Sequence, residues 1–327
     1  MNDLILGTTL RLSRNLRKLP FPQHLNDIQK MQLTQELSNV IQQGTDFTPL
    51  YLNQLTQAQL YSLAERQIID SDHAKSPNGK AVLCSPDQHL FVNLNCDNHI
   101  EIVCFGVGCS FESTYAEVRK WDEQFEKRFI YAFDDEFGYL SPSPAGLGTG
   151  LEASVLIHLP VLKENHGVFR TADFLLQMGF LLHGRYGNGN DAAGAFYSLT
   201  NRLSMGLSET ESMENLSAIA TQLARQEAQV ETDYQRTEEA KNRAQKAVTF
   251  LCQADALSAD DGIELLSDLR LAGAIGICPI IPAKKLCDLL DSIQPTTLLN
   301  ANLQCMSVQE LNHLRADWMR TQLHAAT

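Results

Sequence analysis

The apolar positions change period along the chain. Over residues 25–43, Ile28, Met31, Leu33, Leu37 and Ile41 recur near the 3.6-residue repeat of a helix with one buried face. A Gly44-Thr45-Asp46 break follows, then a second helical piece over 55–66 and a polar loop over 69–80, IDSDHAKSPNGK. From Ala81 the pattern shortens to strand-like runs, AVLCS, LFVNLN and IEIVCFG, separated by turn residues, which predicts an antiparallel meander. Residues 113–129 return to a helical stripe of Tyr115, Val118, Trp121, Phe125 and Phe129. A Gly- and Pro-rich stretch over 139–160, YLSPSPAGLGTGLEASVLIHLP, then opens into alternating Val155, Ile157 and Leu159. A helix over 168–180, a strand and tight turn in LLHGRYGNGND, and a strand in FYSLTNRL follow.

After Ser208 the character changes. Residues 209–253 are polar, Ala-rich and helical, with an SxxE pattern able to cap the start, and at least three short helices follow at 260–271, 282–292 and 308–323. The pattern predicts an α+β body over 1–250, divided into a mainly helical part (1–75), an antiparallel sheet core (76–208) and a long helix (209–250). An all-helical C-terminal domain over 251–327 completes the chain.

Composition narrows the classes. A chain of 327 residues with 44% hydrophobic and 20% charged content suits a globular protein with a large core. No apolar run reaches the ~18 residues of a membrane span, and no signal-peptide pattern is visible, so a cytoplasmic location and no membrane partner are expected. The net charge of −13 argues against nucleic acid. Eight cysteines without a CxxC pair read as free thiols. Residues 8–22, TTLRLSRNLRKLPFP, read either as a solvated strand edge or as an anion-facing strand carrying Arg11 and Arg14.

Several motifs in register carry a resemblance. RLSRNLRKLPFP at 11–22, NHI at 98–100, YAFDDEFGYL at 131–140, GTGLEASVLIHLP at 148–160, HGRYGNG at 183–189, Thr200–Arg202 before MGLSE, and the late ELLSDLRLAGAIG are similar to the phosphagen (ATP:guanido) kinases, most of all the bacterial protein arginine kinases. The resemblance implies a glutamine-synthetase-like antiparallel sheet flanked by helices. It also implies transfer of the ATP γ-phosphate to a guanidinium, by a site whose work is nearly all electrostatic. Five clamp arginines, two carboxylates and a cysteine would do it. Carried over residue by residue, the clamp falls on Thr9, Arg11, Glu101, Glu152 and His183, with only Arg11 retained. The carboxylates fall on Asp97 and Asn188, Ser143 replaces the cysteine, and a nucleotide-side histidine becomes Gln67. In the tail, a phosphoarginine-binding motif falls on Leu311, Asn312 and Arg315, with only Arg315 retained.

The losses are large. Four missing charge-assisted hydrogen bonds amount to roughly 6–12 kcal/mol before non-additivity. A carboxylate ~5 Å from a phosphate adds about 3 kcal/mol of repulsion at an effective dielectric of ~20. A micromolar ligand has only about 8 kcal/mol of binding free energy in all. The leading expectation is therefore a catalytically silent pseudokinase with no cofactor. It would act as a binding or regulatory component with a protein partner in a Clp-type proteolysis or arginine-phosphorylation pathway. One alternative is an active Mg-ATP-dependent phosphotransferase with substitute clamps drawn from Arg11, Arg14, Arg170 and Arg185. Another is an acidic pocket of Asp97, Glu101 and Glu152 with His183 that takes a cationic side chain or a divalent metal. The family's bacterial branch forms dimers, which leaves a homodimer open here.

Overall fold

A computed structural model describes residues 4–188, 191–202, 204–302 and 306–324. The first elements are β1 (Ile5–Arg14), α1 (Asp27–Gln42), β2 (Thr48–Tyr51), α2 (Gln57–Glu65), α3 (Ser71–Lys75), β3 (Ala81–Cys84), β4 (Leu90–Leu94), β5 (Ile100–Val107) and α4 (Phe111–Glu126). Next come β6 (Phe133–Asp134), β7 (Gly138–Tyr139), β8 (Leu151–His158), α5 (Pro160–Glu164), α6 (Gly167–Gln177), β9 (Phe180–Gly184), β10 (Gly187–Asn188), β11 (Asp191–Ala192) and β12 (Phe196–Asn201). The rest is helical: α7 (Glu209–Tyr234), α8 (Glu238–Gln253), α9 (Ala259–Ile275), α10 (Ala283–Ser292), α11 (Pro295–Asn302) and α12 (Val308–His324).

Eight strands form one sheet in the order β2-β3-β4-β5-β1-β8-β12-β9, with every pairing antiparallel. The expected α+β architecture with a helical C-terminal part is what the chain adopts. No helix among the described residues is long and apolar enough to cross a membrane, and the described cysteines are unpaired. One face of the sheet, with Leu10, Leu12, Ile102, Ala153 and Val155, packs under α4, α6 and α7 through residues such as Val118, Phe125, Leu175, Leu216 and Leu223. The other face is covered in two places. Leu60 and Leu63 of α2 seal Val82, Phe91 and Val103, while the C-terminal helices close over Leu6 and Phe196. A cleft on this face is left open beside them, walled by the Gly-rich stretch of residues 141–151.

Several expectations need correcting. Residues 8–22, read as a solvated strand edge or an anion-facing strand, contribute to β1, a central strand held between β5 and β8. Its alternation is masked because Arg11 and Ser13 face the cleft and Thr9 a smaller cavity on the same side, while Leu10 and Leu12 face the core. The apolar stripe over 25–43 is only half right: Leu37 and Ile41 are buried with Thr34 and Ser38, whereas Ile28 is 65% exposed and Met31 is also exposed. The loop over 69–80 contains α3, whose His73 and Ala74 are buried. The single helix over 209–250 is two helices. Chain direction changes at 235–237, Thr237 caps α8, and Ala247 and Leu251 of α8 join the core of the C-terminal helices. Ser208 and Glu211 do form the expected reciprocal capping box at the start of α7.

Helix α7 also carries a buried titratable group. Glu227 accepts the N–H groups of Val161 and Leu162 at the start of α5, at 2.8 and 2.9 Å. Burial outweighs these bonds and pushes its carboxyl up to about 7. The folded chain thus keeps a proton that the unfolded chain releases near pH 4.5, so this stabilising term is full below about 4.5 and lost as pH rises through about 7. A rise from 4.5 to about 7 is worth up to about 3 kcal/mol. Glu227→Gln should flatten the fall of the urea midpoint between pH 5 and 7; an unchanged slope would contradict the assignment.

Candidate functional site

The cleft has a volume of 580 Å³ and draws residues from strands that are far apart in sequence but neighbours in the sheet. In the antiparallel register Arg11 stands opposite Glu152 on one side and Val103 on the other, while Ser13 stands opposite Glu101. Directly opposed and diagonal side chains on one sheet face are within reach of each other. Arg11 Nη1 donates to Glu101 Oε2 at 3.1 Å, and Nε lies 3.8 Å from Glu152 Oε1. Its Nη2 donates to the carbonyl of Gln67, a residue held at φ 55°. Glu101 also accepts from Asn93 Nδ2 at 2.8 Å, from the strand beyond. Burial, which alone would lower the Arg11 pKa, is outweighed by Glu101, Glu152 and Asp70, and the guanidinium is firmly charged.

Glu152 sits at the mouth with its side chain 58% exposed. Partial loss of hydration against the cleft wall, with Glu101 and Asp70 adding to it and Arg11 opposing it, raises its carboxyl above the ordinary value. Asp97 is similarly open, 62% exposed, and takes a contact from His73 Nε2 at 3.4 Å. That contact holds its carboxyl below the usual range, against partial burial. Asp70 completes a group with His73 and Asp97 whose ligand atoms lie within 4.8 Å of one another. The imidazole tautomer is the wrong one for a metal. The Lys80 ammonium, which donates to the Ser76 carbonyl at 2.7 Å, lies 3.3 Å from His73 Nδ1 and makes that nitrogen the acceptor. Nε2 then carries the proton toward Asp97, leaving no lone pair for a cation.

The Gly-rich stretch forms the near wall. Ser143 lies exposed on a single 3₁₀ turn (Pro144–Gly146), and its N–H donates to Ser141 Oγ at 3.3 Å. The Ser204 hydroxyl ties the turn down by donating to the Leu147 carbonyl at 2.6 Å. Gly150 has φ +67°, and a Cβ there would meet the Ser13 carbonyl oxygen at 2.6 Å, so glycine is required for this close approach to β1. The cleft thus gathers Arg11, Asp97, Glu101, Ser143 and Glu152, together with Arg202, which the sequence placed in a motif without a role. Its ionisable lining is four carboxylates (Asp70, Asp97, Glu101, Glu152) against two guanidinium groups (Arg11, Arg202).

The remaining sequence candidates lie elsewhere. Thr9 and Gln67 line a separate small cavity. His183 stands on the edge strand β9 opposite Ser198; burial and Arg185 lower its pKa, so it is neutral at pH 7, and its buried Nδ1 has no hydrogen-bond partner among the described residues. Asn188 lies in β10, its side chain outside the described residues. Leu311, Asn312 and Arg315 lie on α12, away from the cleft. Arg315 is 1% exposed, with Nε donating to the Ile293 carbonyl at 2.7 Å and Nη1 to the Leu257 carbonyl and Asn312 Oδ1, each at 2.7 Å.

The substitute clamps are also spoken for. Arg14 is buried on the core face, paired with Asp122 at 2.7 Å and stacked 3.6 Å from the Tyr139 ring centroid. Arg185 pairs with Asp291 of α10 at 3.5 Å, and Arg170 is exposed on α6. Neither lines the cleft.

The catalytic-domain family of the ATP:guanido phosphotransferases matches residues 27–230. The chain belongs to that family. The C-terminal domain of the protein-arginine kinase McsB matches residues 237–327, which coincides with the start of α8. Among curated relatives, a protein-arginine kinase of Symbiobacterium thermophilum is 33% identical over 98% of this chain and 92% of its own length. One of Syntrophomonas wolfei is 30% identical, again over 98% and 92%. A solved lombricine kinase shares the fold at TM-score 0.60 and 20% identity, covering 71% of this chain and 68% of that one. The duplicated taurocyamine kinase of Schistosoma mansoni gives TM-score 0.60 and 20% identity, covering 67% of this chain and 32% of that one.

Proposed function

We propose that this chain is a catalytically silent member of its family that works by binding, as a regulatory or adaptor component beside arginine phosphorylation in protein quality control. The observation that supports this is the state of Arg11. The one clamp arginine retained from the resemblance spends its guanidinium on Glu101 and the Gln67 carbonyl, with Glu152 alongside, and two of those partners themselves stand at clamp positions. A triphosphate laid over them would have to break these contacts and then face four carboxylates. The proposal carries no cofactor, and its partner is a protein of the Clp-type proteolysis or arginine-phosphorylation machinery. Calorimetry with Mg-ATP and mass spectrometry of an arginine-rich protein substrate test it. No saturable heat and no phosphoarginine are expected. ATP-dependent phosphoarginine formed by the purified chain would end the proposal.

A second reading has its own support: the carboxylates of Asp97 and Glu152 are open to solvent in a cleft large enough for a side chain. A lysine or arginine side chain of a partner protein would suit them, whereas the tautomer of His73 disfavours a metal.

A further inference from the structure

The C-terminal helices close a second cavity on the same sheet face as the cleft, 70 Å³ in volume. One water takes about 30 Å³ of the liquid and nucleotide-sized pockets start at about 300 Å³, so this space suits a few waters or one small ion. Its charge is the reverse of the cleft's, with two guanidinium groups, Arg66 and Arg185, against the single carboxylate of Asp291.

The two arginines differ in how they are held. Arg185 lies 3.5 Å from Asp291 and donates to the Glu65 carbonyl at 3.3 Å. Arg66 rests 5.9 Å from the Phe91 ring centroid, with no carboxylate in ion-pair contact among the described residues. Its sequence neighbour Glu65 is spent elsewhere. The Glu65 carboxylate accepts the N–H groups of Thr296 and Thr297 at 2.9 and 2.7 Å, and the Thr297 hydroxyl at 2.8 Å, at the start of α11. The hydroxyl residues Thr9, Ser154 and Ser198 complete the lining, with Thr9 and Ser154 directly opposed across β1 and β8. Guanidinium forks and hydroxyls around a space of this size are the donor set for a tetrahedral oxyanion.

We infer that this cavity binds a free oxyanion of phosphate size on Arg66 and Arg185, with Asp291 as an internal competitor for Arg185. The inference goes beyond the proposed silence of the cleft: the groups that would hold the anion, Arg66 and Arg185, do not meet Arg11, although Gln67 borders both spaces. Arg185 belongs to the sheet side and Asp291 to α10, so anion occupancy would loosen one ion pair that joins the body to the C-terminal helices. Binding would therefore be felt at that junction.

The test is titration of the full chain with inorganic phosphate at constant ionic strength, read by phosphorus NMR line broadening and by thermal shift. Saturable broadening is expected, weakened at least about tenfold in Arg66→Gln and tightened severalfold in Asp291→Asn. Arg66→Gln breaks no ion pair and keeps the test valid if Arg185→Gln fails to fold. No saturable response from either the parent or Asp291→Asn overturns the inference. So does equal binding by Arg66→Gln, which would mark a general salt effect.

Discussion

Replacing Glu101 and Glu152 together by arginine is expected to raise the affinity for Mg-ATP by at least about 100-fold, from no saturable heat to a measurable isotherm. A carboxylate about 5 Å from a phosphate repels it by about 3 kcal/mol at an effective dielectric of ~20, and a restored charge-assisted hydrogen bond returns ~1.5–3 kcal/mol. Two such reversals far exceed the roughly 2.8 kcal/mol of a hundredfold change, even after strong coupling between neighbours. The double change also releases Arg11, now 3.1 Å from Glu101 and 3.8 Å from Glu152. A Glu101→Gln/Glu152→Gln control removes the repulsion without adding donors and should gain less. If the arginine variant folds and still binds no nucleotide, the proposal that Glu101 and Glu152 exclude ATP fails.

Arg315→Met is expected to lower the stability of the C-terminal helices by about 3 kcal/mol or more. The change leaves the carbonyls of Ile293 and Leu257 and the Asn312 amide oxygen without their donor, and each buried unmet acceptor costs about 1–3 kcal/mol. Arg315→Lys should fall between, because an ammonium cannot reproduce the planar fork. Hydrogen exchange read along α9, α10 and α12 would locate the loss. The same residue stands where the family resemblance places a phosphoarginine ligand. If Arg315→Met kept full stability while abolishing phosphoarginine binding, a purely structural role for Arg315 would be the wrong account of it.

The fold was largely legible because its signals are local. The meander β3–β4–β5 follows short strand-like runs between turn residues, and α4 follows a helical stripe. The misreadings have separate causes. β1 carries polar residues on its cleft face, so its burial on both sides is invisible until β5 and β8 pair with it. The break between α7 and α8 depends on Thr237 as a cap inside an otherwise continuous polar helix pattern. For the site, the sequence located Arg11, Asp97, Glu101, Ser143 and Glu152 through motifs, and the cleft does gather them. It held no sign that His73 would reach Asp97 or that Arg202 would line the same cleft.

By itself, then, the sequence determined the family, the antiparallel framework, and which residues, Thr9, Arg11, Glu101, Glu152 and His183, stand where the resemblance places the clamp. Those are properties of residue order and identity, and they survive without coordinates. Only the tertiary structure decided where each remaining arginine spends its charge: Arg11 on Glu101, Arg14 on Asp122, Arg185 on Asp291, and Arg315 on two backbone carbonyls. Ion pairs and charged hydrogen bonds act over a few ångströms. Which groups come that close is set by strand neighbours and helix docking between segments that can be a hundred residues apart, and no local period encodes it.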